Sequence, residues 1–437
     1  MKDYRMIKGG RRSSSVENQK KIMVFMRAII ILLIILIVLF VLAKFLSDNP
    51  HVNSESREKA AIDYIYEVDS DTVIDMREWK DELVILTDSY VAYVSRSGTL
   101  IARNAHKYSS PAMEIAGDHI LLYDIGSTNF RLENNKGIAY FSTTARPIID
   151  ASYARCGIYV FAEKGESSVC SINVYNAKNE QIGEWNCDEY VTCVALSRNG
   201  KNVAYAGVNG SDAILSSNIY FASVSKGVEN DPIPLLDRTV YELNYIKKDT
   251  VTVFGQGVFC LADPNGTTPI ESGLGVTENK FCYDPNGGAT ALLFAKYGNE
   301  NSCTLKVYGS GGKLKFDRIV TGSINSISCS GKYTAVAKGK SVDIFNASGK
   351  PAGSIILSDS ARRVEIGGSF IYLLTSRGVS IHGVNANTQL LIPEMETTET
   401  EDPVIAATSP VERPPAAVTE QIAQTTLPII TDSFAEG

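Results

Sequence analysis

Four histidines are the side chains best suited to acid–base chemistry near neutral pH. They are His51, His106, His119 and His382. None accompanies a recognisable nucleophile motif. In Gly378–His382, Ser380 and His382 are two positions apart, so on a strand they share a face, but the segment lacks the G-x-S-x-G spacing of a nucleophile elbow. We therefore predict no catalytic residues and no enzyme.

All eight cysteines lie between residues 156 and 329. They are Cys156, Cys170, Cys187, Cys193, Cys260, Cys282, Cys303 and Cys329. No two form a C-x-x-C pair, and histidine is too scarce for a Cys/His zinc site, so we predict no bound metal. Two alternatives stay open: free thiols buried on packed strands, or disulfides, for which Cys187 with Cys193 and Cys156 with Cys170 are the pairs to test.

Two Asp-Pro-Asn-Gly segments, Asp263–Gly266 and Asp284–Gly287, offer oxygen ligands for calcium. Each lacks the further carboxylates that a calcium loop supplies. The same residue types favour tight turns. We interpret both segments as turns and expect no cofactor.

The composition indicates a folded protein that does not bind nucleic acid. The chain has 437 residues, 44% of them hydrophobic and 21% charged, and its formal net charge is −7. Binding to phosphates needs a clustered basic face, and the one basic cluster lies at the N-terminus. Tyrosine, valine, isoleucine and threonine recur in short runs, and no segment after residue 60 has helical apolar spacing. We therefore predict an all-β domain.

The N-terminal region has the pattern of a membrane anchor. Ala28–Ala43 is an unbroken apolar run, and residues 28–46 are long enough to span a bilayer. The preceding residues carry many more basic than acidic side chains, which places residues 1–27 in the cytoplasm. A cleaved secretory signal is the alternative, but the run is long and lacks an A-x-A cleavage pattern. We expect an uncleaved anchor in the cell membrane, with the rest of the protein extracellular.

Domain boundaries follow from changes in composition. After a linker at 47–60, residues 61–392 form the β domain. Residues 393–437 are rich in Thr, Pro, Glu and Ala, a composition typical of a disordered tail. The segment Leu427–Thr431 superficially resembles a cell-wall sorting signal, although no hydrophobic segment with a basic end follows it.

A repeat of about 42 residues runs through the β domain. Its clearest marker is a turn after the third strand of each unit, ending at Gly98, Gly137, Asn179, Gly227, Gly266, Lys313 and Gly349. This period matches the four-stranded blades of a β-propeller. A second turn recurs between the first and second strands, as in Ser197–Lys201, Asp284–Gly287 and Ser328–Lys332. A parallel β-helix would need much shorter repeats.

The number of blades is predicted as eight, with seven as the alternative. A last third strand at Gly378–His382 completes the count of eight, whereas residues 125–150 and 208–240 are irregular. The final blade lacks a fourth strand. The segment Ala61–Val68 precedes the first blade and could supply that strand, which would close the ring and remove an exposed edge.

The basic tail, the apolar helix, the entry segment Ala61–Val68 and turn phrases such as Ile344–Lys350 resemble a family of single-pass membrane-anchored propellers from Gram-positive anaerobes, defined as a domain of unknown function. The repeats also resemble WD40-like and TolB-like propellers and, more remotely, quinoprotein-type propellers that act as envelope scaffolds. Only Trp79 and Trp185 are present, so a tryptophan docking motif is missing. The resemblance implies no catalytic residues.

Two functional hypotheses follow. The first is an interaction module of the cell envelope that binds a protein, peptide or glycan. Candidate contacts near loop ends, which could equally be solvated surface, are Arg96, Arg103, Tyr108, Arg362 and Arg363. The second is a hydrolase or lyase acting on extracellular polysaccharide, which requires carboxylates that converge on the central funnel. Clustered acidic side chains in the funnel would favour the second hypothesis, and an apolar or plugged funnel would disfavour it.

Overall fold

The structure, a computed structural model, describes residues 58–61, 64–68, 72–210, 214–228, 230–272, 276–284, 288–296 and 302–391. The predicted tail 1–27, the membrane helix 28–46, most of the linker and the C-terminal tail 393–437 lie outside the described residues. Within the described ranges, no helix is long and apolar enough to cross a membrane.

In the described residues, thirty-five strands form eight sheets arranged as the blades of a propeller. The chain enters with β1 (Glu58–Ala61) and β2 (Tyr64–Glu67). Blade 1 contains β3 (Val73–Trp79), β4 (Glu82–Thr87), β5 (Tyr90–Ser95) and β6 (Leu100–Ala105). Blade 2 contains β7 (Pro111–Ala116), β8 (His119–Asp124), β9 (Asn129–Asn134) and β10 (Gly137–Thr143). Blade 3 contains β11 (Ile148–Tyr153), β12 (Tyr159–Lys164), β13 (Cys170–Tyr175) and β14 (Gln181–Cys187).

The middle of the chain continues the same order. Blade 4 contains β15 (Tyr190–Leu196), β16 (Asn202–Asn209), β17 (Ser216–Ser223), β18 (Gly227–Val228) and β19 (Ile233–Leu235). Blade 5 contains β20 (Val240–Tyr245), β21 (Val251–Gly255), β22 (Val258–Asp263) and β23 (Gly266–Ser272). Blade 6 contains β24 (Val276–Tyr283), β25 (Thr290–Lys296), β26 (Ser302–Tyr308) and β27 (Leu314–Thr321).

The last two blades share their edges with the two ends of the described chain. Blade 7 contains β28 (Ile324–Cys329), β29 (Tyr333–Lys338), β30 (Ser341–Asn346) and β31 (Pro351–Ile356). Blade 8 contains β32 (Arg363–Gly367), β33 (Phe370–Leu374) and β34 (Gly378–Gly383), and β35 (Asn387–Leu391) follows it.

The eight-bladed propeller of four-stranded blades is confirmed, and the seven-bladed alternative is wrong. The irregular stretch 125–150 contains β9 and β10 of an ordinary blade. In the stretch 208–240, the fourth strand of blade 4 is divided into β18 and β19, which both pair with β17. The repeat looked incomplete there because the fourth strand is interrupted.

The predicted turn register is also confirmed. The turn after the third strand of each of blades 1 to 7 contains a residue with positive φ, including Gly98 (84°), Asn179 (63°), Gly227 (79°) and Gly349 (76°). Glycine and asparagine adopt this backbone conformation at lower cost than other residues.

Ring closure joins the two ends of the chain as predicted. Strand β2 pairs antiparallel with β34, with Tyr64 opposite Ser380 and Glu67 opposite Gly378, and so becomes the fourth strand of blade 8. The sequence did not predict β35 or β1. Strand β35 runs parallel to β31 at the outer edge of blade 7, and β1 runs parallel to β35.

The hydrophobic core lies between neighbouring blades. Met76 and Leu83 of blade 1, for example, pack with Tyr372 and Val379 of blade 8 in one buried cluster. The first strand of every blade is innermost, and these inner strands contact one another around the central channel. They all begin at the same end of the ring, which we name the loop face: it carries the connections between blades and those between second and third strands. The opposite end is the turn face.

Candidate functional site

Among the side chains that the structure describes, five inner strands each place an acidic one in the central channel. These residues are Asp75 on β3, Glu114 on β7, Asp150 on β11, Glu242 on β20 and Glu365 on β32. Each is the third or fourth residue of its strand, and the next or the preceding residue packs into the core between blades. Because side chains alternate along a strand, the carboxylate then points into the channel, where it is half-buried.

Asp75 is the one carboxylate of this group with two cationic partners. Arg77 Nε donates to its Oδ2 at 2.8 Å, and Arg363 Nη1 forms a close ion pair with Oδ1. Burial alone would raise the pKa of Asp75, but Arg77 and Arg363 outweigh it and lower the pKa. The Asp75 carboxylate in turn raises the pKa of Arg77 well above its usual value. Asp75 is therefore ionised across the physiological range.

Glu114 and Glu242 have no such neutralisation. Burial raises the pKa of Glu114 to about 7, and repulsion from Asp150 and Asp75 adds to it. Burial raises the pKa of Glu242 to about 8, with repulsion from Asp150 and Glu114. Arg77 attracts both carboxylates but does not offset these effects. Each of these two carboxyl groups therefore takes up or releases its proton near neutral pH.

Their hydrogen bonding is sparse. The Glu242 carboxylate accepts one hydrogen bond, from Asn244 Nδ2 at 3.3 Å. Glu114 accepts none from the part of the chain that the structure describes. These two side chains are therefore available to a ligand.

Asp150 and Glu365 also accept hydrogen bonds from the neighbouring blade. Neighbouring inner strands belong to different sheets, so side chains satisfy some of their backbone N–H groups. Asp150 Oδ2 accepts from the Val194 N–H at 2.9 Å. Ser328 Oγ donates to Glu365 Oε2 at 3.1 Å and accepts from the Ile366 N–H at 3.1 Å. These contacts join blade 3 to blade 4 and blade 7 to blade 8.

Sequence reasoning missed this acidic group although a signal was present. The segments Val73–Met76, Ile148–Ala151 and Val240–Leu243 each read apolar, any residue, acidic, apolar. The five acidic positions lie about 40 residues apart or at multiples of that interval. Only the closure of the ring, however, brings them together.

The loop face carries a second feature, a group of exposed apolar side chains. Seven large hydrophobic residues lie at this end of blades 2 to 5, which we name the apolar arc: Ile125, Val169, Tyr190, Ile214, Leu215, Leu236 and Tyr241. Leu236 is 74% exposed. The other exposed large hydrophobic residues of the described chain lie on outermost strands, as Phe141 and Ile319 do; two of them, Leu100 and Leu314, begin such strands at the turn-face end.

The five side chains predicted as exposed contacts do not form one surface. Arg96 makes an ion pair with Asp81 at 2.5 Å near the turn face, and Arg103 stacks over the ring of Tyr90 at 3.6 Å. Of the remaining three, Tyr108 is half-buried between blades 1 and 2.

The last two predicted contacts are neighbours in the chain but differ in position. Arg362 is exposed on the loop face. Arg363 points into the channel, where it is engaged with Asp75. The prediction of Arg363 as a surface contact is thus corrected, because an inner strand begins at this residue.

The histidines are placed in structural surroundings. His382 Nε2 lies 2.9 Å from Ser380 Oγ, but Ser380 is fully buried and burial lowers the pKa of His382 to about 4. His106 is buried and contacts the Thr87 carbonyl oxygen at 3.1 Å. His119 is half-buried on β8, and His51 lies outside the described residues.

All eight cysteines are free thiols in the structure. Neither of the two pairs named from the sequence, Cys187 with Cys193 and Cys156 with Cys170, forms a disulfide. Cys170 instead faces Cys187 across β13 and β14, and Cys329 Sγ lies 3.4 Å from the carbonyl oxygen of Cys282 in the neighbouring blade.

The aspartates of the two Asp-Pro-Asn-Gly segments serve the fold, although residues 285–287 of the second segment lie outside the described residues. Asp263 Oδ1 accepts from the Asn265 N–H at 2.8 Å within its own turn. Asp284 Oδ2 accepts from the Gly331 N–H of blade 7 at 2.9 Å. Among the described residues, no group of three or more His, Cys, Asp or Glu side chains is arranged to hold a metal ion.

The architecture can now be compared with known proteins. Residues 55–379 match the model of a family of unknown function, DUF5711. The chain belongs to this family. The match covers the propeller from before β1 to β34. No curated protein matches the chain significantly.

Solved structures give distant similarities. BamB from Moraxella catarrhalis has a TM-score of 0.47 and 10% identity, covering 72% of this chain and 98% of that chain. Sqt1 from Saccharomyces cerevisiae has a TM-score of 0.47 and 9% identity, with coverage of 75% and 98%. Hydrazine synthase from Kuenenia stuttgartiensis has a TM-score of 0.43 and 11% identity, with coverage of 77% and 100%. Similarity at this level says nothing about function.

Proposed function

We propose that this member of the family is a membrane-tethered interaction module of the cell envelope that binds a protein partner through its loop face. Residues 28–46 serve as the anchor, with the N-terminus in the cytoplasm and the propeller on the outer side. The observation that carries the proposal is the apolar arc. Large exposed apolar side chains grouped at one end of a domain are typical of an interaction site.

The distribution of the apolar side chains supports one defined docking face. Aromatic residues contribute much of the binding energy of protein interfaces. Tyr190 and Tyr241, each 50% exposed, lie at the start of β15 in blade 4 and of β20 in blade 5. Leu236 lies in the connection from blade 4 to blade 5, between β19 and β20. At the turn-face end, exposed apolar residues such as Leu100 and Leu314 belong to outermost strands and not to loops.

A crosslinking pull-down from intact cells tests the partner. The full anchored protein is compared with the variants Leu236→Asp and Tyr241→Ser, and with the control Ile319→Ser, which changes an equally exposed side chain on an outer strand. We expect a recurrent partner that the two loop-face variants lose and the control retains. Equal recovery by all four proteins would contradict docking on this face.

Cys156 provides a test of the membrane topology. It is the exposed cysteine among the eight. We expect a membrane-impermeant maleimide to label it in intact cells and to leave Cys156→Ser unlabelled. Labelling of Cys156 only after the membrane is opened would overturn the outward placement.

A second function, hydrolysis of extracellular polysaccharide, is favoured by one observation. Glu114 and Glu242 are carboxyl groups with raised pKa in a shared channel, and glycoside hydrolysis uses a protonated carboxyl group as the acid. Incubation of envelope polysaccharide with the wild type, Glu114→Gln and Glu242→Gln tests it. Release of reducing ends that either variant loses would support the enzyme, and no release by the wild type would exclude it for that substrate.

A further inference from the structure

The acidic channel opens beneath the apolar arc. Tyr241 of the arc directly precedes Glu242 in β20, and Glu114 is the fourth residue of β7 counted from the loop face. At a rise of about 3.3 Å per residue, these carboxylates lie roughly 7–10 Å inside the channel. An arginine or lysine side chain held at the rim is long enough to reach them.

The charges in the channel are unbalanced. Among the described side chains, five carboxyl groups face two guanidinium groups, and Asp75 already engages both Arg77 and Arg363. Glu114 accepts no hydrogen bond from the described residues, and Glu242 accepts one from Asn244. Asp150 and Glu365 also point into the channel. Tyr283 lies close enough to Glu114 and Glu242 for their charges to raise its pKa.

This imbalance selects the charge of the ligand. An anion entering the channel would meet repulsion from uncompensated carboxylates, and a neutral group would leave them uncompensated. A cation would offset the cost of keeping Glu114 and Glu242 ionised in a confined site. A guanidinium group can donate to two carboxylates at once.

We infer that the protein partner that docks on the apolar arc inserts a basic side chain, arginine or lysine, into the channel between Glu114 and Glu242. The inference rests on the proposed function, since the docking of apolar residues on the arc holds the basic side chain at the rim. The partner is thus a protein segment in which a basic residue is flanked by apolar ones.

Calorimetry on the full-length protein in detergent tests the channel without the partner. The probes are Nα-acetyl-arginine amide and its neutral isostere Nα-acetyl-citrulline amide. We expect the arginine probe to bind at least tenfold more tightly than the citrulline probe. The double variant Glu114→Gln/Glu242→Gln should weaken the arginine probe at least tenfold, whereas the exposed control Asp231→Asn should not. Far-ultraviolet circular dichroism and thermal melting confirm that the variants are folded.

The pH dependence provides a second readout. Glu114 and Glu242 must lose their protons to bind a cation, and their pKa values are about 7 and 8. Binding should therefore strengthen between pH 6 and pH 8.5, and at pH 7 it should release protons to the buffer. An affinity for arginine equal to that for citrulline, or unchanged by the double variant, overturns the inference.

The pull-down separates this inference from the proposed function. If a partner is recovered equally by the wild type and by Glu114→Gln/Glu242→Gln, the channel inference is overturned and docking on the loop face stands. If no partner is recovered but the arginine probe binds through the two glutamates, the docking function fails and the channel site is supported.

Discussion

Asp75 and Arg363, which are 288 residues apart in the chain, form an ion pair between the inner strands of the first and the last blade. Arg363 Nη2 also donates to the Ile74 carbonyl oxygen at 2.8 Å. Their side chains are 21% and 35% exposed. The contact therefore joins blade 1 to blade 8 inside a channel that solvent reaches.

A double-mutant cycle on this pair should give a small coupling energy. Because solvent screens the pair and Arg77 remains beside Asp75, we expect Asp75→Asn and Arg363→Gln to couple by about 1 kcal/mol in the free energy of unfolding. Urea denaturation of the four proteins measures it. A coupling above about 3 kcal/mol would show that the ring depends on this contact.

Removal of Arg131 should cost more. Arg131 and Glu133 form an ion pair at 2.5 Å, and their side chains are 1% and 0% exposed. Arg131 Nη1 also donates to the Ala105 carbonyl oxygen of blade 1 at 2.6 Å. Since Arg131→Met leaves a buried carboxylate uncompensated, we expect a loss of about 3–5 kcal/mol. Arg131→Met/Glu133→Gln should recover part of that loss; an equal loss in both proteins would show that packing decides it.

Ring closure can be tested at two matched glycines. Gly98 (φ 84°) and Gly227 (φ 79°) have nearly the same backbone conformation. A Cβ at Gly98 would lie 3.0 Å from the carbonyl oxygen of Ile65 on β2, whereas a Cβ at Gly227 meets nothing within 4 Å. Both alanine variants should lose about 1 kcal/mol to backbone strain.

Gly98→Ala should lose about 1 kcal/mol more than Gly227→Ala, because its methyl group presses on the closing strand. Thermal unfolding monitored by calorimetry measures both. Equal losses would mean that β2 shifts without cost and contributes little to closure.

The stability of the protein should depend on pH through the channel. The folded state raises the pKa of Glu114 and Glu242 above the ordinary glutamate value of 4.5, so it binds their protons more tightly than the unfolded state does. As pH rises from about 4.5 to about 8, this contribution to stability is lost. Relative to wild type, Glu114→Gln/Glu242→Gln should gain on the order of 2 kcal/mol over this range. A difference that is constant with pH would contradict the assignment.

Thiol labelling should distinguish one cysteine from seven. Cys156 is exposed, and the other seven are buried or half-buried. Burial raises the pKa of Cys187 to about 11 and that of Cys260 to about 12, which leaves little reactive thiolate. We expect one equivalent of Ellman's reagent to react rapidly with the native protein and none with Cys156→Ser. Rapid reaction of several thiols would mean that the blades open.

Local chemistry explains what could be predicted of the fold. Turn residues such as Gly98, Asn179 and Gly349 require no distant contact to mark the end of a third strand, and their spacing indicated the blades. The closing role of β2 followed from the missing fourth strand. Strands β35 and β1 were not predicted, because an added edge strand depends on an available edge in blade 7.

The sequence by itself determined the all-β class, the blade period and the strand that closes the ring, and it favoured eight blades over seven, because alternation and turn residues act over a few positions. Only the tertiary structure decided the site. Glu114 and Glu242 are 128 residues apart, and nothing local shows that they share a channel or that burial raises their pKa values. Arg363 looked like a surface cation until the ring placed Asp75 beside it, because charges interact across space and not along the chain.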